Sequence, residues 1–324
     1  MYIAILAILL IAELVYFQIA DKFNIIDKPN ERSSHTRITL RGGGIVFLIG
    51  AWIYTAFYGF TYPYFLLGLT TIAGISFADD IHSLPNRWRL LIQVISMFLL
   101  FYELDILNLE SWRIVVVGLI VCVGIINAYN FMDGINGITG GYSLVVLLPL
   151  MYLNRSLNFI DEKFLIVIGL SILVFCFFNF RKQAKCFAGD VGSIGIAFIL
   201  IFVLGKLILK TGNPLYLLFL AVYGTDSILT IIHRILLHEN IGKAHRKHIY
   251  QLMANELKIP HVVVSVIYMS LQLVISMGLI FLPINNWLYA FGILTLLSIL
   301  YMQFIKKYYH LHEEYLQSMK SNKK

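Results

Sequence analysis

The stretch AGDVGSIGIAFILIFVLGKLILK (188–210) places Asp190 between two glycines and then carries no charge from Val191 to Gly205. An apolar run close to the ~20 residues that cross a bilayer is the pattern of a membrane helix. A span is therefore expected over 193–210, opening directly after a polar motif. The same alternation recurs along the chain, with apolar windows near 2–20, 42–60, 63–78, 88–102, 112–129, 138–153, 163–179, 193–210, 214–237, 260–282 and 287–305. These windows predict an all-α, polytopic integral membrane helix bundle of about 11 spans, or about ten if the short windows at 63–78 and 88–102 are set wrongly. Residues 1–305 then form a single transmembrane unit and 306–324 a basic tail.

Composition supports this solvent. Of 324 residues, 59% are hydrophobic and 13% charged, and the mean hydropathy is +0.79, beyond what a water-soluble core needs. The net charge of +7 would suit a nucleic-acid surface, but the basic residues sit in short loops between apolar runs. A membrane face with an anionic substrate explains them better, and no nucleic-acid partner is expected. Cys122 and Cys176 fall inside spans and Cys186 in a loop, without the spacing of a disulfide or a zinc site. The first window lacks a basic leader and a small-residue cleavage site and carries Glu13, as a retained helix would.

Lys and Arg set the expected orientation. With the N-terminus outside, the inner segments 21–41, 79–89, 130–137, 179–192, 233–259 and 306–324 hold 20 of the 25 Lys and Arg residues. The outer loops hold only Arg113, Arg155, Lys163 and Lys210, with Lys206 near an outer span end, and the loop 103–113 is acidic at Glu103, Asp105 and Glu110. The C-terminus is then cytoplasmic. Two spans separate each successive polar loop, so all the polar motifs share the cytoplasmic face, and one site can assemble there from distant sequence.

FADDIHSLPNRWR (77–89) carries the doublet Asp79-Asp80. Neighbouring carboxylates share a proton, hold a cation, or pair with a base, for which Arg87 and Arg89 are at hand. In NAYNFMDGINGITGG (127–141), Asn127, Asn130, Asp133 and Asn136 recur every three residues, a stripe that would converge on one polar object if the helix ran through it. A glycine-rich turn with an asparagine cap is the plainer alternative. GDVGS (189–193) offers a carboxylate, Asp190, for Mg2+ and free N–H groups for a phosphate, or simply a cap at Ser193. AHRKHIYQ (244–251), with His245, Arg246 and His248 near His233, Arg234, Lys243 and Lys247, suits a diphosphate or an anionic membrane surface. Asp226, inside a span, could pair with Arg234 or reach the site.

Together with DKPNERSSHTRITLRGGG (27–44), these motifs resemble, in order, those of the polyprenyl-phosphate N-acetylhexosamine-1-phosphate transferases, membrane enzymes of glycosyltransferase family 4. The likeness runs from about Asp27 to Gln251, and AHRKHIYQ is closest to the branch that initiates O-antigen and capsule, not to the histidine triplet of the peptidoglycan enzyme. The resemblance implies transfer of a sugar 1-phosphate from a UDP-N-acetylhexosamine to undecaprenyl phosphate at the cytoplasmic face of a bacterial inner membrane. It implies Mg2+, with Mn2+ as the alternative, on Asp190. Asp79 and Asp80 would handle the lipid phosphate, Asp79 as a base, Asp133 would help organise the nucleotide, and His245 and His248 would join these aspartates as catalytic residues. Phe187 would stack on uracil, and Asn127, Asn130, Asn136, Arg246 and His35 would contact substrate. Asn136 stands where the family often has Asp. A homodimer is compatible with the chain, whose sequence leaves the oligomeric state and the sugar open.

A transporter would place polar residues near the midplane of repeated halves; here they sit at span ends, and no repeat is evident. A non-catalytic lipid-binding membrane protein is the other alternative. Cysteines introduced into the loops 21–41, 79–89, 180–192 and 234–259 and into the C-terminal tail should all escape a membrane-impermeant thiol reagent applied to intact cells. Labelling of any one of them breaks the shared-face argument.

Overall fold

The computed structural model describes residues 1–29, 34–35, 37–108, 112–242 and 245–321, the side chains of 319–321 excepted. Arg32, Glu110, Lys243, Lys323 and Lys324 thus lie outside the described residues. All eleven windows fall on helices: α1 (Tyr2–Lys22), α2 (Ile45–Tyr58), α3 (Pro63–Ile81), α4 (Asn86–Glu103), α5 (Trp112–Met132), α6 (Ile138–Leu157), α7 (Glu162–Asn179), α8 (Gly189–Thr211), a 3-10 turn (Pro214–Leu220) running into α9 (Ala221–Leu236), then, after the short α10 (Ile249–Asn255), α11 (His261–Phe281) and α12 (Asn286–Ser321). Among the described residues eight helices are able by length and composition to cross a membrane, counting Pro214–Leu236 as one; α2 is apolar but shorter, and α4 and α6 are not among the eight. The chain is a polytopic membrane helix bundle. Helix α12 passes residue 305 without a break. A small antiparallel pair, β1 (Ile26–Asp27) with β2 (Thr39–Leu40), is the one departure from helix among the described elements.

Helix α8 is the axis of the bundle. Every residue from Gly189 to Leu204 is buried, among α2, α3, α5 and α6, as expected of a helix apolar on all sides. Helix α5 is the opposite case, exposing Ile114, Val116, Val117, Ile120 and Val121. In lipid, apolar surface supplies little drive for helices to associate, so close packing and interhelical hydrogen bonds must do it. On α8 the packing is aromatic at one end, where Phe65 stacks on Phe202 at 4.3 Å between ring centroids. At the other end it is backbone against backbone, and a Cβ built on Gly44 would lie 2.2 Å from the Gly192 Cα.

The polar cross-links follow the same rule. Gln272 of α11 accepts hydrogen bonds from Tyr142 (2.6 Å) and from the Val222 N–H (3.1 Å) and donates to the Leu218 carbonyl (3.0 Å), so the start of α9 is satisfied by a side chain from another helix. Glu103 closes α4 against the start of α3, taking the N–H groups of Tyr64 (2.8 Å) and Phe65 (3.2 Å).

Gly192→Ala should lower the thermal midpoint of the detergent-solubilised protein, since overpacking against backbone typically costs about 1–3 kcal/mol. Gly195→Ala, one turn along the same helix, meets nothing within 4 Å and should be neutral or slightly stabilising. Equal effects in the two variants would mean that the contact of Gly192 with Gly44 does not hold α8 in place.

Candidate functional site

The loop before α8 is built onto the loop before α2 by backbone hydrogen bonds. The Phe187 N–H donates to Leu40 O (2.8 Å), Gly43 N–H to Phe187 O (2.9 Å) and Gly44 N–H to Ala188 O (3.1 Å). Two glycines with positive φ make the fit, Gly42 (83°) and Gly189 (70°); a Cβ on Gly189 would stand 2.5 Å from Asp80 Oδ2. From α1, Tyr16 donates to Arg41 O at 2.5 Å, and Glu13 lies buried with the Cys186 thiol 3.7 Å from its Oε1.

Asp80 sits on the end of α8. Its Oδ1 accepts from the Asp190 N–H (2.9 Å) and its Oδ2 from the Val191 N–H (3.0 Å), so a carboxylate from α3 caps the helix and meets the positive end of its dipole. Arg41 bridges Asp80 (Nε to Oδ1, 2.6 Å) and Asp190 (3.1 Å), and Arg89 bridges Asp79 (2.9 Å) and Asp190 (2.6 Å). Two guanidinium groups thus tie together three carboxylates. Removing one partner from a buried pair costs about 3–5 kcal/mol, because the other charge is stranded.

This arrangement corrects two expectations and takes one of the options open to Asp79. Helix α8 begins at Gly189, not Ser193, and Asp190 lies in its first turn; the two N–H groups expected to meet a phosphate are taken by Asp80. The stripe of four is broken, because α5 ends at Met132: Asn127 and Asn130 remain on the helix, while Asp133 and Asn136 lie beyond it. Asp79 pairs with Arg89, and its other oxygen accepts the Leu84 N–H at 2.6 Å, which commits both oxygens to the turn between α3 and α4.

Two adjoining cavities open at this end of the bundle. The smaller, about 270 Å3, is lined by Asp27, Ser34, His35, Arg41, Asn130, Asp133, Phe187, Asp190 and Gln251 among others. The His35 and Phe187 rings meet there edge to face, centroids 4.7 Å apart. Asp133 accepts from Thr139 at 2.6 Å; burial pushes its carboxyl up to about 7 against that hydrogen bond, with the charges of Asp190 and Asp80 adding to the rise. The larger cavity, about 500 Å3, is lined by Asn86, Arg87, Arg89, Leu90, Gln93, Asn127, Asn130, Phe131, Ile241, Gly242, His245, His248 and Gln251. Asn130 and Gln251 belong to both. With its amide oriented to satisfy its neighbours, Asn130 donates to Asp190 (3.2 Å) and accepts from Arg89 (3.3 Å).

Not every expected residue arrives at a cavity wall. Asn136 is buried and donates to the carbonyls of Arg181 (2.9 Å) and Lys182 (3.3 Å), holding the loop before α8. Arg246 turns away to Glu256 (2.9 Å) and to the face of Tyr315, 4.2 Å from its centroid, on the extension of α12. Arg41, Gln251 and Thr139 were missed. Arg41 stands directly before GGG and Gln251 closes AHRKHIYQ, so the motifs contained them, but nothing local marks their partners. Among the described residues no group of three or more His, Cys, Asp or Glu side chains is arranged to hold a metal ion.

The family model described as glycosyl transferase family 4 matches residues 62–207, from α3 through most of α8. The chain is 29% identical over 328 residues to "Probable undecaprenyl-phosphate N-acetylglucosaminyl 1-phosphate transferase" of Bacillus subtilis, covering 94% of this chain and 89% of that protein. Over nearly its whole length the chain is thus similar to a protein of that name. An undecaprenyl-phosphate alpha-N-acetylglucosaminyl 1-phosphate transferase of Thermotoga maritima is 27% identical over 79% of this chain and 81% of its own length. A phospho-N-acetylmuramoyl-pentapeptide-transferase of the same organism is 26% identical over 59% of this chain and 66% of its own.

Burial and the cations around it, His248, Arg234 and Lys247, push the His245 imidazole down to about 3 from an ordinary 6.5. A histidine that stays neutral when folded stabilises the fold fully above its unfolded value, and that contribution is lost as pH falls below it, when the unfolded chain takes up the proton. The thermal midpoint should therefore fall between pH 6.5 and about 4, and His245→Gln should flatten that fall. An unchanged slope in the variant contradicts the neutral assignment.

Proposed function

We propose that the protein transfers an N-acetylhexosamine 1-phosphate from a UDP-sugar to undecaprenyl phosphate, releasing UMP and leaving a polyprenyl-diphosphate sugar that initiates a cell-envelope polysaccharide such as O-antigen or capsule. The observation that carries this reading is the pair of cavities sharing the Asn130 and Gln251 wall. One is polar, with acids and an aromatic pair, and suits a nucleotide diphosphate. The other combines Arg87, Arg89, His245 and His248 with exposed Leu90, Phe131 and Ile241, and suits a phosphate on a lipid. N-acetylglucosamine is the favoured sugar, since the relatives that match 94% and 79% of the chain are named for it.

In this reading the lipid phosphate oxygen attacks the β-phosphorus from the larger cavity, and the bond to the UMP oxygen breaks in the smaller. Phe187 and His35 hold the base, and Arg89, between the two cavities, faces the phosphates. Asp79 and Asp80 hold Arg89 and Arg41 in place and so act through them; a phosphate monoester, with its second pKa near ~6, is already largely ionised at neutral pH and needs little from a base. The donors that reach the smaller cavity, Asp190 and Asp133, are carboxylates, the ligands Mg2+ prefers, and the four aspartates at this end outnumber Arg41 and Arg89. Asp190, with Asp133 beside it, would hold Mg2+ once a guanidinium gives way. The ion would offset the repulsion between two anions and stabilise the charge on the transferring phosphoryl group. The enzyme sits in the bacterial inner membrane with this end of the bundle in the cytoplasm, where most of its Lys and Arg lie.

Asp190→Asn should abolish Mg2+-dependent UMP release from folded protein given undecaprenyl phosphate and UDP-N-acetylglucosamine. Phe187→Ala should chiefly raise KM for the UDP-sugar, by about tenfold or more, the usual worth of an aromatic platform under a base. Near-normal turnover by the first variant, or a loss confined to kcat in the second, overturns these assignments.

A further inference from the structure

Asp226 is the one acidic side chain of α9, and the mechanism above does not use it. It is buried, and it does not stand alone. Its Oδ2 accepts from Tyr268 at 2.6 Å, and its Oδ1 accepts from the Ile249 N–H at 3.1 Å and from Thr230 at 3.2 Å. The Nδ1 of His248 lies 3.3 Å from the same Oδ1. Arg234, the partner considered from sequence, reaches instead to Glu239 (3.1 Å) and to the carbonyls of Asn240 and Ile241. A buried carboxylate ringed by donors is stable as the anion, and an anion facing Nδ1 calls for a proton there.

The other nitrogen of His248 has the opposite surroundings. Nε2 is buried and has no hydrogen-bond partner among the described residues, and the residue, 1% exposed, lines the larger cavity. The ring is held flat, stacked on Phe131 and on Tyr250 at 6.3 and 5.8 Å between centroids, and Tyr250 is itself fixed by its bond to Phe131 O at 2.8 Å. An unsatisfied buried nitrogen costs free energy unless something arrives to meet it.

We propose that Asp226 is a positioning residue that holds His248 with its proton on Nδ1, so that Nε2 faces the larger cavity as a phosphate-binding group. The identity of that phosphate, the lipid monoester, rests on the function proposed above. The fraction of monoester that enters as the monoanion passes its proton to Nε2: the phosphate O–H bond breaks, an N–H bond forms, and the dianion stays hydrogen-bonded to the imidazolium; a monoester that arrives as the dianion makes the same pair once Nε2 takes a proton from water. Asp226 balances the new positive charge from behind, as carboxylates do for histidines that must gain a proton or bind a cation. In the capping box of α10 the Gln251 N–H donates to the His248 side chain, a bond that a proton on Nδ1 gives up. The full charge of Asp226 decides between them, because an Nδ1 lone pair turned toward a carboxylate is repelled.

The test is nitrogen NMR of the full-length protein in detergent with isotope-labelled histidine, the His248 signal assigned by its loss in His248→Gln. Above its own titration, wild-type His248 should carry its proton on Nδ1 with Nε2 bare, and Asp226→Asn should move it to Nε2. In the transfer assay Asp226→Asn should lower kcat about 10–100-fold, as loss of an orienting partner does elsewhere, and leave the UDP-sugar KM within about twofold, that substrate lying in the other cavity. Asp226→Asn combined with His248→Gln should be no slower than His248→Gln alone. A wild-type His248 protonated on Nε2, or a double variant in which the two losses multiply, overturns the proposal. The wild-type spectrum decides it even if Asp226→Asn fails to fold. Absence of any transfer by the wild-type protein would refute the function and leave the tautomer result standing.

Discussion

The carboxylate of Asp80 on the end of α8 is the interaction from which the rest of the site follows. Helix α8 is buried on every side, so its first N–H groups have no water to meet, and an unmet backbone donor in such surroundings costs several kcal/mol. Asp80 meets two of them, and in doing so brings a charge that must itself be paired. Arg41 supplies the pairing and then reaches on to Asp190. The loop before α2, the end of α3 and the start of α8 are thereby locked together, and the glycines at 42, 44, 189 and 192 are what let the backbones come close enough.

That lock explains how a membrane bundle can keep four aspartates at one end. Each has partners, yet negative charge remains in excess. Two guanidinium groups against Asp79, Asp80, Asp190 and Asp133, whose carboxyl burial pushes up, leave a site that favours a divalent cation or further basic groups, and the basic residues around the larger cavity answer the same excess from the other side. In the proposed reaction, binding of two phosphorylated substrates exchanges partners within an existing network, which avoids exposing bare charge to the bilayer core. The extension of α12 supports the arrangement from outside: Tyr309 takes Lys247 (2.7 Å) and His312 takes Glu256 (2.8 Å), so the loop carrying His245 and His248 is strapped to a helix that emerges from the bundle.

Much of this was legible in the sequence because hydrophobic windows and motif order are local properties. All eleven windows are helices, and the five motif loops do meet at one end. Two of the errors share a cause, which is that the deciding partner is not beside the motif. The start of α8 moved from Ser193 to Gly189 because its cap comes from Asp80, more than a hundred residues away. Arg246 left the site because Glu256 and Tyr315 claim it, and neither is signalled beside AHRKHIYQ. The stripe from Asn127 to Asn136 assumed that the helix continues, whereas it stops at Met132, just before Gly134. The pairing of Asp79 with Arg89 was visible as an option, but spacing alone could not choose it over a base.

Phosphoryl transfer, as opposed to transfer of the sugar alone, is the core of the account, and the fate of one atom tests it. Purified protein should be given undecaprenyl phosphate, Mg2+ and UDP-N-acetylglucosamine radiolabelled at the β-phosphorus, and the products separated between organic and aqueous phases. The account predicts that the label moves into the lipid, in step with release of unlabelled UMP. Label retained in UDP while sugar reaches the lipid, or no transfer of label by folded protein to this acceptor, would contradict it.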